Sequence, residues 1–342
     1  MNTLTSQPRP LLMIPIRRCG SHALRLRLNF SPDFYSPYPL HLVDFMPLLE
    51  LYGDLTDDYN YFQLVIDLVG LQNATMVKWE NVALDPLAIF AAIQTRPRSV
   101  HSIVWEMLFQ AGRGHQAKVV MDKSLDNVHY YPELVELFDD MLFLNVVRDP
   151  RAQISSINRS IIHDFDTLLN TLTWLRAHET AKALVEKYPK RCLTVRFEDF
   201  IADQQAVLIK ICNFIGITFT PNMLDTSVSE EAKHISTISA LWESNAYPPI
   251  PSNLDKFKKY LSVAEIALIE SLTGNLMDHY GYERITTKTI EVTDEMLAQA
   301  KITSDAQKQL AWQTLRQQNP RDYQLRRFRL EYLEMLKRRL SQ

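Results

Sequence analysis

Leu142-Phe-Leu-Asn-Val-Val-Arg-Asp-Pro-Arg-Ala-Gln-Ile-Ser-Ser-Ile157 decides how the rest of the chain is read. The apolar run Met141–Val147 has the length of a buried strand and stops abruptly at Arg-Asp-Pro. Pro150 suits the first turn of a helix, where its missing N–H costs nothing, and a helical pattern continues to Arg159. Arg148 therefore falls just past the carboxyl end of a strand, where open α/β sheets bind ligands. Ser156 follows eight residues later, about two helical turns on, and points back on the same face. An arginine and a hydroxyl at that separation can clamp a phosphate. Taken singly, each residue fits a plainer role: Arg148 pairing with Asp149, and Ser156 capping or solvating a helix.

Working outward, short apolar runs alternate with longer helical patterns, which predicts an α/β fold of parallel strands joined by crossover helices. The predicted strands are Leu11–Ile16, Ala74–Trp79, Gln116–Met121, Met141–Val147 and Leu193–Phe197. The predicted helices include Ser21–Phe30, Asp58–Val69, Ser99–Ala111, Asp166–Lys187, Asp203–Ile215 and Val263–Tyr280. Gly216 and Gly281 stand where helices end on a left-handed residue. The segment from Ser31 is irregular and proline-rich, and Pro248-Pro249-Ile250-Pro251 marks an extended loop. Beyond Tyr282 the character changes to helical patterns at Thr293–Ala300 and Ser304–Gln317 and a basic amphipathic helix at Arg321–Leu340. The expected division is an α/β domain over 1–282 and a C-terminal helical extension over 283–342.

The bulk numbers exclude several classes. Of the 342 residues 46% are hydrophobic and 23% charged, an ordinary globular composition. A formal net charge of −3 gives no reason to expect nucleic acid as a partner. Three scattered cysteines suit neither a disulfide framework nor a metal cage. No apolar run is long enough to span a bilayer, and the first ten residues contain no signal-peptide core. The expected compartment is cytoplasmic.

A second turn matters as much as the first. Ile14-Pro-Ile-Arg-Arg-Cys-Gly-Ser-His-Ala-Leu24 reads as a strand, a sharp turn and a helix start. The unpaired N–H groups of a helix N-terminus suit an oxyanion. Gly20 permits close approach, while Arg18 and Ser21 add donors. A Walker loop needs G-x-x-x-x-G-K-[ST], and this turn has neither that spacing nor the lysine. A plain strand-to-helix connection carrying surface arginines fits the turn equally well.

Together these segments resemble the sulfotransferases that use 3′-phosphoadenosine-5′-phosphosulfate (PAPS), in a style nearest their bacterial and tyrosylprotein branch. Arg18-Cys-Gly-Ser-His is similar to that family's 5′-phosphosulfate loop, and Val147-Arg-Asp-Pro-Arg with Ser156 to its 3′-phosphate motif. Val195-Arg-Phe-Glu-Asp-Phe200 and the helix ending at Gly216 resemble a further family strand and helix. Met121-Asp-Lys-Ser124 resembles its lysine strand, and Met277-Asp-His-Tyr-Gly-Tyr282 its closing helix. The resemblance implies a P-loop-like three-layer fold, a central parallel sheet flanked by helices, and PAPS as co-substrate with no metal. It implies nucleotide contacts from Arg17, Arg18, Cys19, Gly20, Ser21, His22, Ala23, Arg148 and Ser156, with Lys258 of the Lys256–Tyr260 cluster on the 3′-phosphate. Lys258 fits a solvated helix face as readily. Lys123 and Arg18 are the expected catalytic cations.

The sequence departs from the family at the base. Counting on from Arg18 to where tyrosylprotein-type members carry a catalytic glutamate reaches Tyr38 and Pro39. The nearest proton acceptor is His41, taken here as the expected base, with His22 and Asp44 behind it. Arg159 stands one position away from a family arginine. The acceptor is left open among small molecules, carbohydrates and peptides; aromatic residues between Phe30 and Pro47 suit either a pocket or a core. The basic tail helix suits docking on the core, self-association or an anionic membrane surface. Two other classes share the pattern: a P-loop-like kinase, and a non-catalytic nucleotide-binding protein of the same fold.

Overall fold

The computed structural model describes residues 7–225, 227, 229–243, 247 and 253–342. Five strands form one parallel sheet: β1 (Arg9–Ile14), β2 (Phe34–Tyr35), β3 (Val119–Asp122), β4 (Leu142–Val147) and β5 (Cys192–Arg196). Their order is β2-β3-β1-β4-β5. Leu11 and Leu12 of β1 pair with Met121 and Asp122 on one side and with Leu142 and Phe143 on the other.

Strand periodicity explains the layers. Successive side chains point to opposite faces, so Leu11, Met13, Leu142 and Leu144 enter one apolar core. Leu12, Ile14, Phe143 and Val147 enter the other. The first core is closed by helices Ser21–Leu28 and Gln204–Ile215 through Leu24, Leu208 and Ile211. The second holds Tyr61, Ile103, Trp174 and Ile269 from helices Asp58–Asn73, Val100–Gly114, Thr167–Lys187 and Val263–Tyr280. The result is the three-layer α/β arrangement expected from the sequence.

The helix ends follow local chemistry. Asp149 accepts from the Arg151 N–H ahead of Pro150–Ile157, and Ser262 with Glu265 completes a reciprocal cap. Gly216 and Gly281 end their helices at φ 77° and 74°, as predicted.

Three elements differ from expectation. Ala74–Trp79 is not a strand. The preceding helix runs on to Asn73, and the Thr75 hydroxyl then bridges to the carbonyls of Gln72 and Val77 in a turn. The edge strand is instead Phe34–Tyr35, inside the segment read as irregular. Past Tyr282, the two predicted short helices are one, Asp294–Gln318, followed by Pro320–Leu340. The expected loop Pro248–Pro251 lies outside the described residues.

The last helix lies against the core. The Tyr332 hydroxyl donates to the Asp67 carbonyl at 2.9 Å. Arg339 pairs with the Asp67 carboxylate, which also accepts from the Tyr52 hydroxyl at 2.7 Å. Among the described residues, no helix is long and apolar enough to cross a membrane.

Candidate active site

The chain passes from the β3 side of β1 to the β4 side, so the crevice of an open sheet is expected at the carboxyl end of β1. A cavity of about 1020 Å³ opens there. Its floor is the turn between Ile14 and Ser21. Gly20 has φ 92°, and a Cβ at that position would lie 2.2 Å from the Phe197 ring. Only glycine fits both restraints. Helix Ser21–Leu28 starts on Gly20 with no side-chain cap, leaving its first N–H groups beside Ser21, His22 and Ala23, which line the cavity.

Arg18 is the centre of the turn. Its φ of 69° is unusual for a residue with a side chain, and two contacts hold it. Its Nε donates to Ser156 Oγ at 3.1 Å, and its carbonyl accepts from Arg148 Nη1 at 2.9 Å. Arg18 Nη1 also donates to the Leu241 carbonyl at 3.2 Å. Strained residues held this way cluster at functional sites.

Arg148 does not pair with Asp149. That carboxylate is taken by Arg151, which also reaches Glu270 at 2.6 Å. Arg148 lies over the Phe197 ring at 5.0 Å, and its buried Nε has no partner among the described residues. Arg159 also reaches the cavity wall. Burial, with Arg148 and Arg159 nearby, lowers the Arg18 guanidinium to about 10. Three arginines drawn together this way form a site that an oxyanion would relieve.

Lys123, just past β3, lies beneath the turn with Nζ 3.3 Å from Ser21 Oγ. Only 2% of it is exposed. Burial, with Arg25 next, lowers its ammonium to about 7. A lysine so perturbed inside a cleft marks a functional site.

The rest of the wall is aromatic. The His22 and Tyr38 rings stack at 5.8 Å, and Trp242 meets them edge-on at 6.2 and 5.6 Å. The His41 ring is 5.8 Å from Tyr38. The Nδ1 atoms of His22 and His41 are buried and have no partner among the described residues. Burial, then Lys123 for His22 and Arg17 for His41, holds both well below the ordinary imidazole range. Asp44 instead accepts from Arg329 at 3.3 Å.

Most of the expected contact residues converge on this cavity, and two do not. The Cys19 side chain is buried in the core under the turn, away from the lining, where burial raises its thiol to about 11. Lys258 points to solvent, paired with Asp255 at 2.8 Å; Lys256 lines the cavity instead. Arg17 lines it while ion-paired to Asp126 at 2.7 Å.

The residues missed are instructive. Phe197 sits in a recognised motif but shows its purpose only against Gly20 and Arg148. Lys308, Trp312, Arg326 and Arg329 come from the last two helices, and amphipathicity shows a buried stripe without saying which surface covers it.

A profile described as "Sulfotransferase family" matches residues 10–221. That span is more than half of the 342 residues, and the chain belongs to this family. Among solved structures, the chain resembles the sulfotransferase domain from the olefin synthase of Synechococcus PCC 7002. That pair is 23% identical, covers 81% of this chain and 96% of the other, and has a TM-score of 0.57. The sulfotransferase domain from the curacin biosynthetic pathway is 18% identical over 81% and 98% of the two chains, at a TM-score of 0.54. Both likenesses are likenesses of fold.

Proposed function

We propose that the chain transfers a sulfuryl group from PAPS to a hydroxyl or amine of an acceptor by metal-independent in-line displacement. The observation that carries this reading is the Arg18–Ser156–Arg148 constellation at the carboxyl end of β1, partly buried donors of which the Arg148 Nε has no partner among the described residues. PAPS supplies an activated sulfuryl group on a phosphate leaving group.

The donor set fits such a nucleotide. Arg18 and the first N–H groups of Ser21–Leu28 hold the 5′ end, where charge gathers as the bond to sulfur loosens. Arg148, Ser156 and Arg159 hold the 3′-phosphate and fix register rather than chemistry. Lys123, held on Ser21, places an ammonium beside the leaving oxygen. Its lowered pKa reflects burial first and repulsion from Arg25 second, and attraction to a bound anion offsets both. His41 takes the proton from the acceptor, and a nucleotide anion nearby raises its basicity in the same way.

Calorimetry with adenosine 3′,5′-bisphosphate and with magnesium–ATP tests the nucleotide assignment. Tight binding of the bisphosphate and weak binding of ATP are expected; the reverse favours a kinase. Label transfer from PAPS into a pooled metabolite extract tests catalysis, and its complete absence would leave only a nucleotide-binding protein.

A further inference from the structure

The cavity carries more positive charge than a sulfuryl donor needs. Among the described residues, ten arginines and lysines line it against two acids, Asp44 and Glu243. Asp126 and Asp322, behind the wall, neutralise Arg17 and Arg326. The six cations still in excess outnumber the roughly four negative charges of a nucleotide with two phosphate ends. An unmatched cation in a partly buried cavity is costly unless a ligand meets it.

The excess divides between the turn and the rim. Arg18, Arg148, Arg159 and Lys123 surround the turn. The last two helices add Lys308, together with Arg326 and Arg329, which Asp322 and Asp44 already engage. Arg326 lies over the Trp242 ring at 5.9 Å. Arg329 Nη2 donates to the Leu40 and His41 carbonyls at 2.7 and 3.1 Å, while its buried Nη1 has no partner among the described residues. Lys308 has no ion pair among the described residues and is exposed at the rim. Between these cations sit the rings of His22, Tyr38, His41 and Trp242.

We infer that the acceptor is a small organic molecule carrying a carboxylate, whose apolar body packs on this aromatic cluster while Arg329 and Lys308 meet its charge. This deepens the sulfuryl-transfer reading and rests on it. The cavity supports the size requirement, since about 1020 Å³ reaches the upper end of the roughly 300–1,000 Å³ typical of one ligand. A negative acceptor also has a chemical consequence. Burial first, and then Lys123 for His22 and Arg17 for His41, hold these rings low, and an acceptor carboxylate beside them raises their basicity.

The test uses the full chain saturated with adenosine 3′,5′-bisphosphate. Binding of 4-hydroxyphenylacetate is compared with binding of its neutral amide, 4-hydroxyphenylacetamide. The carboxylate is expected to bind about tenfold tighter or better, the range of a charge-assisted hydrogen bond. Lys308→Gln, an exposed change that leaves the core alone, and Arg329→Gln should each reduce that ratio without altering the Kd of the nucleotide. Absence of any preference for the carboxylate overturns the inference while nucleotide binding keeps the donor assignment intact. Failure of the bisphosphate to bind overturns both.

Discussion

The ring of Phe197 occupies the space that a side chain at Gly20 would need. A Cβ there would lie 2.2 Å from two ring carbons, and the backbone at Gly20 has φ 92°. The turn that carries Arg18 is thus shaped by a residue from the far end of β5. Two penalties oppose Gly20→Ala, a clash and a left-handed residue, and only the second survives without the ring. Gly20→Ala should therefore destabilise more in the wild type than on a Phe197→Ala background, where about 1–2 kcal/mol of backbone strain remains. A urea-unfolding double-mutant cycle measures the difference, and equal costs on the two backgrounds would refute the steric account.

Arg148→Ala should raise the Kd for adenosine 3′,5′-bisphosphate by roughly 10- to 150-fold, corresponding to loss of a charged hydrogen bond of about 1.5–3 kcal/mol. The same change should raise the KM for PAPS more than it lowers kcat. Lys123→Ala should do the opposite, lowering kcat about 10²–10³-fold as removal of an oxyanion donor does. An Arg148→Ala protein with unchanged nucleotide affinity would remove that residue from the phosphate site.

The Lys123 ammonium gives a pH signature. Burial and the Arg25 charge lower it to about 7, while Cys19 and Asp126 act in the other direction and Arg17 adds to the lowering. Anion binding requires the charged form, so the folded, unliganded protein must take up a proton on binding above that pH. The Kd of the bisphosphate should accordingly rise as pH climbs from about 7, by up to about tenfold per unit, until the raised pKa of the complex is passed. Lys123→Met should abolish this slope. A wild-type Kd that is flat between pH 7 and 8.5 would show that Lys123 does not face the anion.

His41→Asn should lower turnover by about 10²–10⁴-fold with little change in nucleotide affinity, the contribution of a general base. His22→Asn and Asp44→Asn provide the comparison, because Asp44 is already engaged by Arg329. A larger loss in the His22 variant would transfer the role to that ring.

Gly70 tests how the last helix docks. Alanine normally stabilises a helix interior by about 1 kcal/mol over glycine, but a Cβ at position 70 would lie 2.0 Å from the Tyr332 hydroxyl. Gly70→Ala should speed hydrogen exchange across Pro320–Leu340, and adding Tyr332→Phe should partly reverse it. Unchanged exchange in Gly70→Ala would mean that this contact is dispensable.

Much of the sheet and half of the site were legible from local pattern. Leu142–Val147 and Leu11–Ile14 are central strands with apolar residues on both faces, and such runs stand out. Phe34–Tyr35 is a two-residue edge strand, too short for any periodicity to show. Ala74–Trp79 misled because its apolar residues are buried by a turn, with the Trp79 indole donating to the Tyr38 carbonyl at 2.7 Å. Arg18, Arg148 and Ser156 could be found because each follows a strand end or lies on the helix that leaves it, whereas Lys123 is reached through the family resemblance. Arg329 could not, since its meaning lies in carbonyls 288 and 289 positions away, and nothing in a helix's own sequence specifies the surface it will meet.

That long reach separates two kinds of inheritance within one cavity. On the proposed reading the turn, β3 and β4 set how the nucleotide is gripped, whereas the final two helices add Lys308, Trp312, Arg326 and Arg329 to the cavity lining. Drift confined to residues around 308–330 can retune what enters beside the nucleotide, and a grafted tail from a relative would be a direct route to a new preference.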